Sequence, residues 1–138
     1  MYKVVLDSNI FISFLISHKP PISTILDLWR KGELAVCYSV EVIDELERAL
    51  AYPKIRKLIS DSESESLINA IKTLGILVIL SQSIDVCRDK KDNKYLEACL
   101  ESGSSLLVSG DEDLLALKEF KGVNIVSPRK FTKRQPMA

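Results

Sequence analysis

The residues in this sequence with chemistry to offer are acids placed where apolar runs end or helical stretches begin. Asp7 directly follows the apolar run Tyr2–Leu6 and opens the triplet Asp7-Ser8-Asn9, while Asp111 and Asp113 follow Leu106-Leu107-Val108-Ser109 and the turn residue Gly110. Glu45 borders the helical stripe Val42, Ile43, Leu46 and Ala49, displaced by about 40° from Ala49 at 100° per residue. Asp92 precedes Tyr95, Leu96 and Cys99 by three, four and seven residues, which puts it on the apolar face of a helix, in the first turn. Each acid has an ordinary structural role open to it. Asp7 can cap a helix, Glu45 can be a surface acid, Asp92 can complete a capping box begun by Asp89, and Asp111 and Asp113 can complement a helix dipole. Ser8 and Asn9 cap as well as Asp7 does, so capping alone does not require an acid there. Four carboxylates converging on one edge would repel and raise one another's pKa unless a cation sits among them. Carboxylate oxygens without His or Cys select hard ions, so Mg²⁺ or Mn²⁺ is expected, as one or two ions, and Zn²⁺ is disfavoured. Such ions keep waters, orient a phosphodiester and neutralise the leaving oxygen of an in-line displacement.

The elements that must position these acids alternate between strand and helix. The β-branched run Tyr2–Leu6 predicts a strand that stops at Asp7-Ser8-Asn9, where a helix starts. Pro20-Pro21 opens an amphipathic helix with Ile22, Ile25, Leu26 and Trp29 on one face and Gly32 as its C-terminal cap. Leu34–Tyr38 reads as a strand, and Ser39 caps the helix that carries Glu45 up to Pro53. A short helical stretch over 54–59 follows. Ser62 with Glu65 offers a capping box for a helix ending at Gly75, and the five aliphatics Ile76–Leu80 predict a central strand covered on both faces. A helix over 92–102, a strand over 105–109, a helix over 112–117, a strand over 123–126 and a helical turn begun by Pro128 complete the order. The expected architecture is a three-layer α/β/α sandwich around a central, mostly parallel sheet of four to five strands. In such sheets the strand C-termini line the crevice where ligands bind, which is where these acids fall.

Length and composition bound the alternatives. A chain of 138 residues with 46% hydrophobic and 28% charged residues is expected to form a single globular domain over 1–138, its tail from 132 to 138 frayed. The odd cysteines Cys37, Cys87 and Cys99 lack zinc spacing, and no signal-peptide pattern opens the chain, so a reducing cytoplasm is expected. No apolar run reaches the ~20 residues of a membrane span. The single histidine, His18, sits in a polar loop, which disfavours a Ser-His-Asp triad and any multi-histidine metal site.

The segments VVLDSNIFIS, VIDELERAL, RDKKDNKYLEAC and LLVSGDEDLLAL, in this order, resemble the PIN-domain family of metal-dependent nucleases, especially the small prokaryotic members of toxin–antitoxin type. The likeness spans nearly the whole chain, with Ser8 where the family usually carries Thr. The resemblance implies that Asp7, Glu45, Asp92 and Asp111 are the catalytic acids and, with Asp113 as a lesser participant, bind the metal. Ser8 and Asn9 would be supporting polar groups. It further implies hydrolysis of single-stranded RNA by metal-activated water, leaving a 5′-phosphate, with a cognate antitoxin protein as partner and a homodimer as the assembly. The alternative within the same fold is a catalytically silent RNA- or protein-binding module. A DxD phosphatase fits less well, because position 9 carries Asn9 rather than an acid, and so does a receiver, which would want paired acids before a central phosphoacceptor strand. Aromatics at 7% form no clustered stacking platform for reading bases.

Net charge is zero, with 19 basic and 19 acidic residues, and this excludes a uniformly cationic nucleic-acid coat. Setting aside Asp7, Glu45, Asp92, Asp111 and Asp113 leaves 14 acids against 19 bases. Arg88, Lys91, Lys94, Arg129 and Lys130 are the expected contacts to an RNA backbone.

Overall fold

The structure, a computed structural model, describes residues 2–134, the side chain of Arg134 excepted. Strand β1 (Tyr2–Leu6) leads into helix α1 (Ser8–Ser17), and α2 (Ile22–Arg30) precedes β2 (Leu34–Tyr38). Then come α3 (Val40–Leu50), the single turn α4 (Pro53–Arg56), α5 (Asp61–Leu74) and β3 (Ile76–Leu77). Helix α6 (Asn93–Ser102), β4 (Leu106–Val108), α7 (Glu112–Leu117), β5 (Glu119–Phe120), β6 (Val123–Val126) and α8 (Pro128–Arg134) close the order.

The strands form one sheet in the order β3-β2-β1-β4-β6-β5, parallel throughout except for the β5–β6 pair. Alternate residues of the central strands face opposite layers, as the period of two requires. Val4, Leu6, Val36, Leu106 and Val108 pack with residues of α1, α2, α3, α5 and α8 on one side. Val5, Cys37, Leu107 and Ile125 meet Tyr95, Leu96, Ala98 and Cys99 of α6 and Leu114 of α7 on the other. This is the three-layer arrangement expected, and Cys37 and Cys99 are buried within it as small apolar groups.

Several expectations are corrected. The sheet has six strands rather than four to five, because the two-residue β5 folds back on β6. The run Ile76–Leu80 is not a central covered strand. Only Ile76 and Leu77 pair, on the sheet edge beside β2, and Ile76, Leu77 and Ile79 are exposed. The capping box of α5 is Ser60 with Glu63, two residues before Ser62 and Glu65. The helix expected from Asp92 starts at Asn93, preceded by a 3₁₀ turn over Lys90–Asp92. The tail expected to fray from 132 is helical through Arg134, and its remaining residues, 135–138, lie outside the described ones. Gly75 does end α5, where a β-carbon would stand 2.5 Å from the Ile71 carbonyl oxygen and 2.8 Å from the Tyr38 ring.

From β1 the chain moves outward through β2 to β3, then crosses back to place β4 on the other side of β1. The C-terminal ends of β1 and β4 therefore flank the switch point of the sheet, where a crevice opens. Among the described residues no helix is long and apolar enough to cross a membrane.

Candidate acidic centre

Asp7 is the first residue past β1 and is only 3% exposed. Its N–H donates to the Val108 carbonyl at 3.0 Å, which locks it to the end of β4. One carboxylate oxygen caps α1 by accepting from Asn9 N–H at 3.1 Å, and the other accepts from the Ser109 hydroxyl at 2.7 Å. Burial nevertheless raises its pKa, outweighing those two bonds, and the Glu45 charge adds to the rise. Ser109, fully buried just past β4, also accepts from Asp111 N–H at 3.0 Å. Asp111 in turn caps α7 through Leu114 N–H at 3.0 Å. A single hydroxyl thus ties together the two acids that follow adjacent strands.

Glu45 comes from the second turn of α3, behind β2, and is half-buried. Its Oε1 accepts from the Ser8 hydroxyl at 2.9 Å and from the Tyr95 hydroxyl; its Oε2 accepts from Lys94 Nζ at 2.6 Å. Burial raises its pKa, but the bonds from Lys94, Tyr95 and Ser8 prevail and hold it below the usual glutamate range. Burial and the neighbouring Asp7 and Glu45 charges raise the Tyr95 pKa, which keeps its phenol protonated as a donor.

Asp92 arrives on the 3₁₀ turn, whose start Asp89 caps through Lys91 N–H at 3.0 Å. Asn93 pins this turn to α6. Its side-chain carbonyl accepts from the N–H groups of Val86 at 3.1 Å and Cys87 at 2.9 Å, and its amide donates to the Lys90 carbonyl at 3.2 Å. Asp92 makes no side-chain bond to cap α6. Its pKa is pushed up to about 6, first by burial and then by the charges of Asp7, Asp111, Asp89 and Glu45.

Four elements therefore bring Asp7, Glu45, Asp92 and Asp111 within each other's field. Asp113 stands apart from them, exposed, with Arg88 at 3.8 Å. Ser8 is buried against Glu45 and Tyr95, whereas exposed Asn9 contributes its backbone N–H to Asp7. Lys94, expected to reach an RNA backbone, is turned inward to Glu45 with its side chain 15% exposed. Lys91, Arg88, Arg129 and Lys130 are exposed, the last two in the first turn of α8, which follows β6 beside β4. Tyr95, Ser109 and Asn93 were not singled out from sequence as site residues. The available signals were slight: a lone hydroxyl on the apolar stripe of α6, a serine two residues before Asp111, and an asparagine next to Asp92.

Among the described residues, no three acidic, histidine or cysteine side chains stand close enough together to hold an ion as they are. Like charges facing one crevice without a cation are expected to stand off from each other. The donor set itself fits a hard divalent ion, being all carboxylate oxygen with hydroxyls behind it. No lysine or arginine among the described residues pairs with Asp7, Asp92 or Asp111.

An open, mostly parallel α/β sheet that gathers carboxylates at its switch point defines the class of this protein. Residues 3–113 match the PIN domain family, and the chain belongs to that family. It is 30% identical over 118 residues to an uncharacterized protein of Methanocaldococcus jannaschii, covering 85% of this chain and 76% of that one. It also matches a chain from the crystal structure of VapBC2 from Rickettsia felis bound to a DNA fragment from their promoter. That match has a TM-score of 0.62 and 13% identity, and covers 91% of this chain and 98% of the other, a likeness of fold.

Proposed function

We propose that this protein is a metal-dependent endoribonuclease that hydrolyses phosphodiester bonds of single-stranded RNA at the acidic centre between β1 and β4. The observation that carries the reading is the convergence of Asp7, Glu45, Asp92 and Asp111 from four separate elements, with Asp92 raised to about 6 by burial and then by the charges around it. Such an arrangement costs stability unless its charge is used. Carboxylates of this group would hold Mg²⁺ or Mn²⁺. When bound, the ion supplies charge neutralisation at the phosphodiester and makes water a stronger acid. The protein's own residues do the rest. Ser109 fixes the Asp7 carboxylate toward β4, Ser8 and Tyr95 fix Glu45, and Asn93 fixes the turn that presents Asp92.

Beside this edge a groove of about 640 Å³ is lined by Lys90, Lys91, Asn93, Ser81 and Gln82 together with Glu41, Asp85 and Glu97, and there Lys90 and Lys91 would offer cationic groups to a flanking strand. Another, of about 480 Å³ between α3, α4 and α5, mixes Arg56 and Lys72 with Glu47, Asp61 and Glu65 and lies away from the acids. Belonging to the PIN family supports the nuclease reading. Fold likeness to a chain of the VapBC2 pair supports placing this protein as the toxin of a toxin–antitoxin pair. The test is cleavage of end-labelled single-stranded RNA. Activity should vanish with EDTA and return with excess Mn²⁺ or Mg²⁺; cleavage that persists in EDTA rejects the reading.

A further inference from the structure

We propose that the Lys94 ammonium takes the place of a second cation in the acidic centre, neutralising Glu45 from within the fold so that Asp7, Asp92 and Asp111 receive a single divalent ion. This rests on the metal-dependent reading above. It assigns Glu45 and Lys94 the role of positioning residues rather than ligands.

The geometry around Glu45 is already complete. Both of its oxygens are engaged, Oε1 by the Ser8 and Tyr95 hydroxyls and Oε2 by Lys94 Nζ at 2.6 Å. The ion pair is shielded, with side-chain exposures of 15% for Lys94 and 26% for Glu45, unlike the pair Arg88–Asp113 at 83% and 51%. Lys94 is held at three points: Glu45, the Lys91 carbonyl, and the face of the Tyr95 ring 5.2 Å away. A lysine tethered in this way cannot reach out to a flanking phosphate without leaving a partly buried carboxylate uncompensated, which is costly.

The other three acids differ in having no cationic partner among the described residues, although Asp7 and Asp111 accept hydrogen bonds. Asp92 makes no side-chain capping bond, and no base pairs with Asp7, Asp92 or Asp111 among the described residues. The unbalanced charge of the edge therefore lies on three carboxylates, a charge one divalent ion largely offsets. A second ion at Glu45 would have to displace an ammonium already in contact with it, like charge against like charge.

The experiment is titration of the metal-free full chain with Mn²⁺, read as stoichiometry and affinity by calorimetry and by electron paramagnetic resonance of free Mn²⁺. Wild type should bind one ion. Glu45→Gln, which keeps groups for Ser8 and Tyr95 to bond, should still bind one, with affinity changed by less than about tenfold, the equivalent of 1.4 kcal/mol. Lys94→Met should release Glu45 as a ligand and either add a second ion or tighten binding by about tenfold or more. Lys94→Arg should restore the wild-type pattern. Two ions on wild type, a loss of about tenfold or more in Glu45→Gln, or Lys94→Met identical to wild type would each overturn the proposal while leaving the metal-dependent reading intact. Wild type binding no ion would overturn both. If Lys94→Met does not fold, as circular dichroism would show, Glu45→Gln decides alone.

Discussion

Asp7 is buried with a raised pKa, so its ionised form is held in the fold at a cost, and an isosteric amide should relieve that cost while keeping hydrogen-bonding groups toward Asn9 and Ser109. Asp7→Asn is accordingly expected to melt no lower than wild type without metal, and to lack the rise in Tm expected of wild type in Mn²⁺; thermal unfolding with and without Mn²⁺ checks both. Asp92 makes a related prediction about pH. Its folded pKa of about 6 lies above the ordinary 3.8, so between those values the folded state holds a proton that the unfolded chain has released. The metal-free protein should therefore gain stability as pH falls from 7 toward 5. Glu45, whose pKa is lowered, works in the opposite sense and withdraws its contribution only below the ordinary 4.5. Urea midpoints at pH 7 and pH 5 test this, and an equal or lower midpoint at pH 5 counts against it. At this scale the sequence pointed, through positions after strands and on helix faces, to acids that the fold brings within each other's field. It did not reveal their partners. Lys94 at one residue's remove from Asn93 reads as a solvated base, and only the packing of α6 against α3 turns it onto Glu45.

Helices and strands here act as holders, and their small polar junctions transmit position. Ser109, at the end of β4, gives one hydroxyl to Asp7 and accepts from Asp111 N–H, so Ser109→Ala leaves a buried acceptor and a donor short. A loss of about 1–3 kcal/mol is expected by chemical denaturation, along with weaker metal binding. Gly75 shows a different constraint. A β-carbon there would collide with the Ile71 carbonyl and the Tyr38 ring, so Gly75→Ala should destabilise by about 1–3 kcal/mol, and a variant as stable as wild type would contradict that packing. Element positions were legible where two signals agreed: the Asp7 stop of β1, the Ser39 cap of α3 and the acidic start of α7. They were not legible where signals repeat or are silent about neighbours. In Ser60-Asp61-Ser62-Glu63-Ser64-Glu65 two capping boxes are possible, and the earlier one forms. An aliphatic run such as Ile76–Leu80 records apolarity and not the layer that covers it, and topology places it on an open edge.

Across the whole molecule, neutrality conceals separation. The acids gather at the β1–β4 switch point, while Lys90 and Lys91 are exposed in the turn that leads into α6 and Arg129 and Lys130 at the start of α8, which follows β6. On the proposed function an RNA strand would be drawn by the basic surround toward the acidic centre, so cleavage should weaken with rising salt. The three-layer fold was readable because βα alternation and right-handed crossovers leave few topologies, whereas the back-folded β5, two residues long, carries no period to read. If a divalent ion binds only the assembled centre, as proposed, it should stabilise the fold by linkage, roughly 2.7 kcal/mol at a concentration 100 times its Kd. The central claim, that this acidic edge is the nuclease centre, is tested most directly by comparing wild type with Asp7→Asn and Asp92→Asn on labelled single-stranded RNA in Mn²⁺. Cleavage by wild type with a loss of at least about a hundredfold in both folded variants is the predicted result; variants that cleave as fast as wild type would contradict it.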